Sequence, residues 1–442
     1  MGKITGFMEY GRVCCRDRDP KERISDYDSF HLPLSDAERQ HQAARCMDCG
    51  VPFCQAGIIF DGVRLGCPLH NLIPEWNDML FRGNEAQALS RLLKTNCFPE
   101  FTGRVCPALC ERACTCGIVS EPVTVRDNEL SIIERAFSAG LMAPRPPVSR
   151  SGCSVAVVGS GPAGLSAAFW LNARGHSVTV FERDTFPGGL LTYGIPDMKL
   201  PQDVVSRRIS LMKNEGIEFK TGVNIGKDVP FSELASEYDC VIYCCGAHKV
   251  RDTGLDCLPG VCHSEDYLRA SAQSRLGEEY DSLLSASGKD VVVIGAGDSA
   301  SDCIATAIRQ GCRSLRQLIR KPKSFYPAFP DYAHEEAEAV FGEIRQFEST
   351  VTAVFPGSGG ELERIAVVSA DGETEFPAQL LISASGFSGA EDYLSSVKDS
   401  GTNVFLAGDM VNGASLVVLA VASGKKAAAE ADEYMMGYTG II

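Results

Sequence analysis

The spacing of hydrophobic positions changes near residue 150. Before it, apolar residues recur at helical intervals and few runs read as strands. Leu34 to Arg45 opens with Ser35 three residues before Glu38, the spacing of a capping box, and continues in helix formers. Trp76 to Lys94 and Glu129 to Ala139 also read as helices. The stretch Ala143-Pro-Arg-Pro-Pro-Val-Ser-Arg-Ser-Gly152, rich in Pro, Ser and Gly, marks a domain boundary. Beyond it, short apolar strands alternate with helices. Ser154 to Val158, a Gly-rich turn, a helix from Ala163 to Arg174 and a strand from Ser177 to Glu182 make a βαβ unit. The pattern returns with a strand from Val291 to Ile294, a Gly-rich turn, a helix ending at Arg309 and a strand near Leu315 to Ile319. Val241 to Cys244, Leu380 to Ser383 and Val404 to Ala407 read as further strands. Two βαβ units predict two nucleotide-binding folds behind a helical N-terminal domain.

The first turn reads Gly159-Ser-Gly161-Pro-Ala-Gly164. Its first Gly permits the tight turn, its second lets a pyrophosphate approach the backbone, and its third lets helix and strand pack closely. Phosphate then sits on the helix N-terminus, where free N–H groups favour negative charge. Glu182 ends the next strand 18 residues past Gly164, placed to accept a ribose hydroxyl. The second turn reads Gly295-Ala-Gly297-Asp298-Ser299-Ala300, with Ala for the third Gly. Its following strand ends in Arg320-Lys321-Pro-Lys323 with no carboxylate, which suits the 2′-phosphate of NADPH. The alternative is a solvated basic surface that includes Arg309, Arg313 and Arg316. Flavin then belongs to the first fold. There Gly408-Asp409 closes a late strand, and a helix from near Ser415 and Leu416 aims N–H groups at the flavin. On its own, Gly-Asp after a strand is also an ordinary turn.

Composition removes several classes of function. A chain of 442 residues has room for about three domains. Its net charge of −15 argues against nucleic acid and anionic membrane partners, which need clustered Lys and Arg. No apolar run approaches the roughly 18 residues of a membrane helix, and Met1 to Arg12 lacks the apolar run of a signal peptide, so a cytoplasmic location is expected. Eleven of the nineteen cysteines fall within the first 116 residues. Without a secretory signal, such crowding points to metal ligands rather than disulfides. The run is Cys46-x2-Cys49-x4-Cys54, then Cys67-Pro, then Cys106-Pro-x2-Cys110-x3-Cys114. Short-spaced thiols followed by Pro suit iron–sulfur clusters, and seven of them suit two sites better than one. Structural zinc is the alternative. Cys14, Cys15, Cys97 and Cys116 have no matching spacing and read as bystanders. No Cys-x-x-Cys lies beside either nucleotide motif, which disfavours a disulfide reductase.

Several segments resemble the small (β) subunit family of NADPH-dependent glutamate synthase. They are Gly6-Phe-Met-Glu-Tyr10, Cys46-Met-Asp-Cys-Gly-Val-Pro-Phe-Cys54, Asn71-Leu-Ile-Pro-Glu-Trp-Asn77 and Phe98-Pro-Glu-Phe-Thr-Gly-Arg-Val-Cys106. The resemblance continues through Val157 to Gly164, Gly188-Gly189-Leu190-Leu-x-Tyr-Gly-Ile-Pro196 and Ser415-Leu416-Val-Val. Related electron-entry modules occur in dihydropyrimidine dehydrogenase and NADPH:ferredoxin oxidoreductases. The resemblance implies a helical double iron–sulfur domain over 1–145, then two Rossmann-like domains of the disulfide-reductase-like flavoprotein type. These would be an FAD-binding domain over 152–255 and 378–442, and an NADPH-binding domain over 256–377. It further implies two [4Fe-4S] clusters, one on Cys46, Cys49, Cys54 and Cys114, the other on Cys67, Cys106, Cys110 and Glu129. The implied activity passes electrons from NADPH through FAD and the clusters to a glutamate synthase large subunit, or to another electron-accepting protein such as ferredoxin. A non-enzyme alternative is a zinc-stabilised nucleotide sensor. Twelve residues separate Cys54 from Cys67 where some relatives have far fewer, and the region after Arg320, which keeps His334 to Ala337, is shorter than in many. No glutaminase or FMN barrel is expected in this chain, so it would not make glutamate alone.

Overall fold

The computed structural model describes residues 2–255, 258–325, 332–370, 372–399 and 401–441, so Cys257 and the expected domain start at 256 lie outside it. The N-terminal third is helical. Ser35 caps the helix Asp36–Ala44: its hydroxyl accepts the Glu38 N–H at 3.3 Å, and the Glu38 carboxylate accepts the Ser35 N–H at 2.9 Å. The helix expected over Trp76 to Lys94 is instead two, Ile73–Phe81 and Glu85–Leu93, because Gly83 adopts a φ of 74° and ends the first. The helix expected from Glu129 begins earlier, as Val125–Ser138, which places Glu129 in its second turn on the buried side. The segment between Cys54 and Cys67 is a β-hairpin, Ile58–Phe60 against Val63–Leu65.

The first nucleotide-binding sheet has five parallel strands in the order Val404–Leu406, Cys240–Tyr243, Ser154–Val158, Ser177–Glu182 and Glu218–Thr221. Both faces are covered, which is why Val155 to Val158 and Cys240–Tyr243 in its centre are buried and without charge. The helices Pro162–Ala173 and Val417–Met436 pack on one face. Gly424 allows their contact, since a Cβ there would lie 2.0 Å from the Ala163 carbonyl oxygen. One hydrophobic core joins this face to the N-terminal domain, running from Trp76, Phe98 and Ile132 to Leu171 and Val421.

The second sheet is also parallel, in the order Val261–His263, Leu380–Ser383, Asp290–Ile294, Ser314–Ile319 and Arg345–Phe347. Leu380–Ser383 pairs inside this sheet, so the chain returns to the first domain after residue 383 and not, as expected, before residue 378. Helices Ser264–Leu276 and Asp298–Arg309 cover one face. The other face is closed by an antiparallel sheet, Thr350–Pro356, Leu362–Ser369 and Gly372–Pro377, through Val351, Ile365 and Val367. No strands are expected there from the sequence, although the alternation in Thr350–Pro356 is the relevant signal.

Residues 16–32 cross to the second domain. Arg23 is fully buried and donates to Glu336 at 2.7 Å, Glu336 also pairs with Arg309, and Phe30 stacks on Tyr332 at 4.7 Å between centroids. Arg309 is therefore a buried structural cation and not part of a solvated basic surface. No helix among the described residues is long and apolar enough to cross a membrane.

Candidate functional site: two nucleotide cavities and two thiol cavities

The first fingerprint opens onto a cavity lined by Gly159, Gly161, Glu182, Gly189, Leu190, Gly408, Asp409 and Ser415. Gly159 needs its φ of 96°, and Gly164 lies inside the fold, where a Cβ would stand 1.9 Å from the Gly159 carbonyl oxygen. Gly161 differs from both. An added Cβ there would meet no atom within 4 Å, so the backbone beside the helix N-terminus faces open space of the kind a pyrophosphate fills. Glu182 is buried and already accepts hydrogen bonds from the Ser160 N–H at 2.9 Å, the Ser160 hydroxyl and the Asp184 N–H at 2.9 Å. A carboxylate has about four lone-pair positions, which leaves room for one ribose hydroxyl. Ser160 also receives the Gly188 N–H at 2.8 Å and so ties the Gly188 loop to the fingerprint. As the variable residue of Gly-x-Gly, it carries no sequence signal. Asp409 accepts the Ser415 N–H at 3.1 Å and hydroxyl at 2.5 Å. This fixes the turn before Val417–Met436, whose N-cap, Leu416, offers no side-chain hydrogen bond, so its first-turn N–H groups stay available.

The second fingerprint opens onto a separate cleft that Gly297 and Asp298 line and that Gly295, Ser299 and Ala300 do not. Gly297, like Gly161, has nothing within 4 Å of an added Cβ. Ala300 is fully buried and packs helix on strand, while Ser299 is exposed. Arg320 and Lys321 are exposed at the end of Ser314–Ile319, off the described lining, with Lys321 Nζ 3.4 Å above the Phe325 ring. The cations that do line the cleft are Arg345, Lys199, Arg104 and Arg126. They come from three parts of the chain, and no single motif contains them. The cleft also reaches Cys106 and the Phe30–His31 edge of the crossing segment.

The cysteines divide between two cavities. Cys46, Cys49, Cys54 and Cys114 line one, together with the neighbouring Cys116, and Cys67, Cys106, Cys110 and Glu129 line the other. Cys110 sits in the short helix Leu109–Arg112, and the chain turns after it, so Cys114 faces the opposite cavity. Three of the non-glycine residues with positive φ lie in these loops: Asp48 at 50°, His70 at 52° and Ala108 at 55°. Such conformations cost of order 1–3 kcal/mol each and concentrate at ligand sites. All the described cysteines are free, and among the described residues no three His, Cys, Asp or Glu side chains converge on one ion position. Each set of thiols lines its own cavity. Burial pushes Cys46 and Cys67 up to about 12 and Cys106 up to about 11, so these groups are thiols unless a cationic centre holds them as thiolates. Burial likewise pushes Glu129 up to about 7, against hydrogen bonds from Thr102 and Asn71.

Residues 23–141 match the family model of dihydropyrimidine dehydrogenase domain II, 4Fe-4S cluster, and residues 153–424 match that of pyridine nucleotide-disulphide oxidoreductase. The chain is 44% identical to the glutamate synthase [NADPH] small chain of Bacillus subtilis, with 99% of each chain covered. It belongs to the glutamate synthase small-chain family. Membership, with these two domains, makes it an oxidoreductase with an iron–sulfur domain and a flavoprotein-type nucleotide-binding domain. The small-chain alignment runs over 491 positions against 442 residues here, so the relative carries residues this chain lacks. The glutamate synthase [NADH] of Schizosaccharomyces pombe is 38% identical over 99% of this chain, but the match spans 23% of that longer protein. Among solved structures, FprA of Mycobacterium tuberculosis in complex with NADPH shares the fold, with a TM-score of 0.50 at 17% identity over 67% of this chain and 88% of that one.

Proposed function

We propose that this chain takes electrons from NADPH and relays them through FAD and two [4Fe-4S] clusters to a large polypeptide that makes glutamate from glutamine and 2-oxoglutarate. One observation carries the relay. Val417 lines the first nucleotide cavity while its neighbour Val418 lines the cavity of Cys67, Cys106, Cys110 and Glu129, so a single turn of helix separates the two. The Cys67 cavity is therefore the inner site, and the Cys46 cavity is the outer one.

Held in the first cavity, FAD would supply the exchange between a two-electron hydride donor and one-electron clusters. The chain's own residues bind and orient. Gly161 leaves room for the pyrophosphate, Gly189 lets its loop close against the Gly161 backbone, Glu182 holds a ribose hydroxyl, and the first turn of Val417–Met436 directs N–H groups into the same cavity. Gly297 does the same for the nicotinamide coenzyme, with Arg320 and Lys321 as the reading for its 2′-phosphate. The Cys46 set with Cys114 and the Cys67 set with Glu129 supply four ligands each. The partner reading is supported by the yeast relative, in which the matched region is 23% of one longer glutamate synthase chain. The test is the acceptor. Purified with its co-purifying large polypeptide, the chain should form glutamate on NADPH; reduction of ferredoxin with no glutamate formed would replace this reading.

A further inference from the structure

Two of the family-resembling stretches, Asn71 to Asn77 and Phe98 to Cys106, supply a single thiol between them, and one polar residue of each, Asn71 and Thr102, meets instead on one carboxylate. Asn71 donates from Nδ2 to Glu129 Oε2 at 2.9 Å, and the Thr102 hydroxyl donates to Oε1 at 2.5 Å. Asn96, just before Phe98, donates to Oε1 at 3.2 Å. All four side chains are buried. Neither amide can turn end for end. Asn71 Oδ1 accepts the Trp76 indole N–H at 3.1 Å and the Thr95 hydroxyl at 3.3 Å, and Asn96 Oδ1 accepts the Phe98 N–H at 3.0 Å. Asn96 also donates to Thr102 Oγ1 at 2.8 Å, and of the two acceptors of the Thr102 hydroxyl, the Phe98 carbonyl at 3.3 Å and Glu129 Oε1 at 2.5 Å, the closer is Glu129. Everything aimed at Glu129 is thus a donor, and three donors fill three of about four lone-pair positions.

We propose that Asn71, Asn96 and Thr102 are positioning residues that present Glu129 to the Cys67 cavity as a single-oxygen iron ligand and tune the potential of the cluster there. The inference rests on the proposed reading of that cavity as a cluster site. Hydrogen bonds to a ligand oxygen draw electron density from the iron and favour its reduced form, so removing a donor lowers the potential.

The test uses the full chain, with Thr102→Val and Asn71→Leu as the donor deletions and Thr102→Ser as the variant that keeps the hydroxyl. Each is followed by an anaerobic redox titration monitored by electron paramagnetic resonance, with FAD and iron contents. Both deletions should lower the midpoint potential of the inner cluster or strip its iron, with FAD and the outer cluster unchanged, and Thr102→Ser should match the wild type. Full iron at unchanged potential in both deletions would overturn the proposal. So would Thr102→Ser behaving like Thr102→Val, or FAD leaving together with iron, since either would mark packing as the cause. The underlying cluster reading fails separately, if Glu129→Ala leaves the spectra and potentials of both clusters as they were.

Discussion

Arg208 and Glu100 form a buried ion pair across the boundary between the first nucleotide-binding domain and the helical domain. The guanidinium donates to the carboxylate through Nε and, at 3.0 Å, through Nη2, and both side chains are at most 1% exposed. Glu100 lies in Pro99–Val105, the helix that leads into Cys106, and Arg208 lies in Gln202–Asn214 of the flavoprotein-type domain. The pair therefore fixes the inner thiol cavity relative to the nucleotide cavity.

Breaking such a pair leaves an uncompensated buried charge, which costs about 3–5 kcal/mol. Arg208→Ala should lower stability by that order in chemical denaturation. A loss under about 1 kcal/mol, the range of an exposed pair, would show that the contact carries no structural weight.

Gly161→Val should abolish FAD binding while iron is retained. An added Cβ meets no protein atom within 4 Å, so the substitution points into the space of the cofactor's pyrophosphate and its effect reports the cofactor before the fold. Gly164→Ala is the contrast, since its Cβ would press on the Gly159 carbonyl oxygen and should destabilise the domain itself. Gly297→Val should keep FAD and block reduction by NADPH. Stoichiometric FAD in Gly161→Val would show that flavin belongs to the other fold.

Coenzyme choice is tested at Arg320 and Lys321, which stand exposed at the strand end. Replacing both with Ala should raise KM for NADPH about tenfold or more and leave NADH unaffected, as a charge-assisted phosphate contact of about 1.5–3 kcal/mol requires. Equal weakening of both coenzymes would shift the assignment to Arg345, Lys199, Arg104 and Arg126, the cations that line the cleft.

The fingerprints were legible in the sequence because their demands are local: Gly159 needs positive φ, and Gly164 cannot carry a Cβ. The capping box at Ser35 and Glu38 is legible for the same reason. What escaped depends on distant chain. Val351, Ile365 and Val367 become core only when their sheet covers the parallel one, so short alternating runs there do not announce themselves. Spacing alone would put Cys110 and Cys114 in one site, and only the turn after Leu109–Arg112 separates them; their division came from the family resemblance. The donors around Glu129 come from Asn71, Asn96 and Thr102, a set that no local pattern joins.

Anaerobic analysis of iron and acid-labile sulfide, in the wild type and in Cys114→Ala, tests the conduit of two clusters most directly. The wild type should hold about eight of each per chain, and Cys114→Ala about four, with the inner cluster still detected. About four of each in the wild type, or zinc without sulfide, would contradict the conduit.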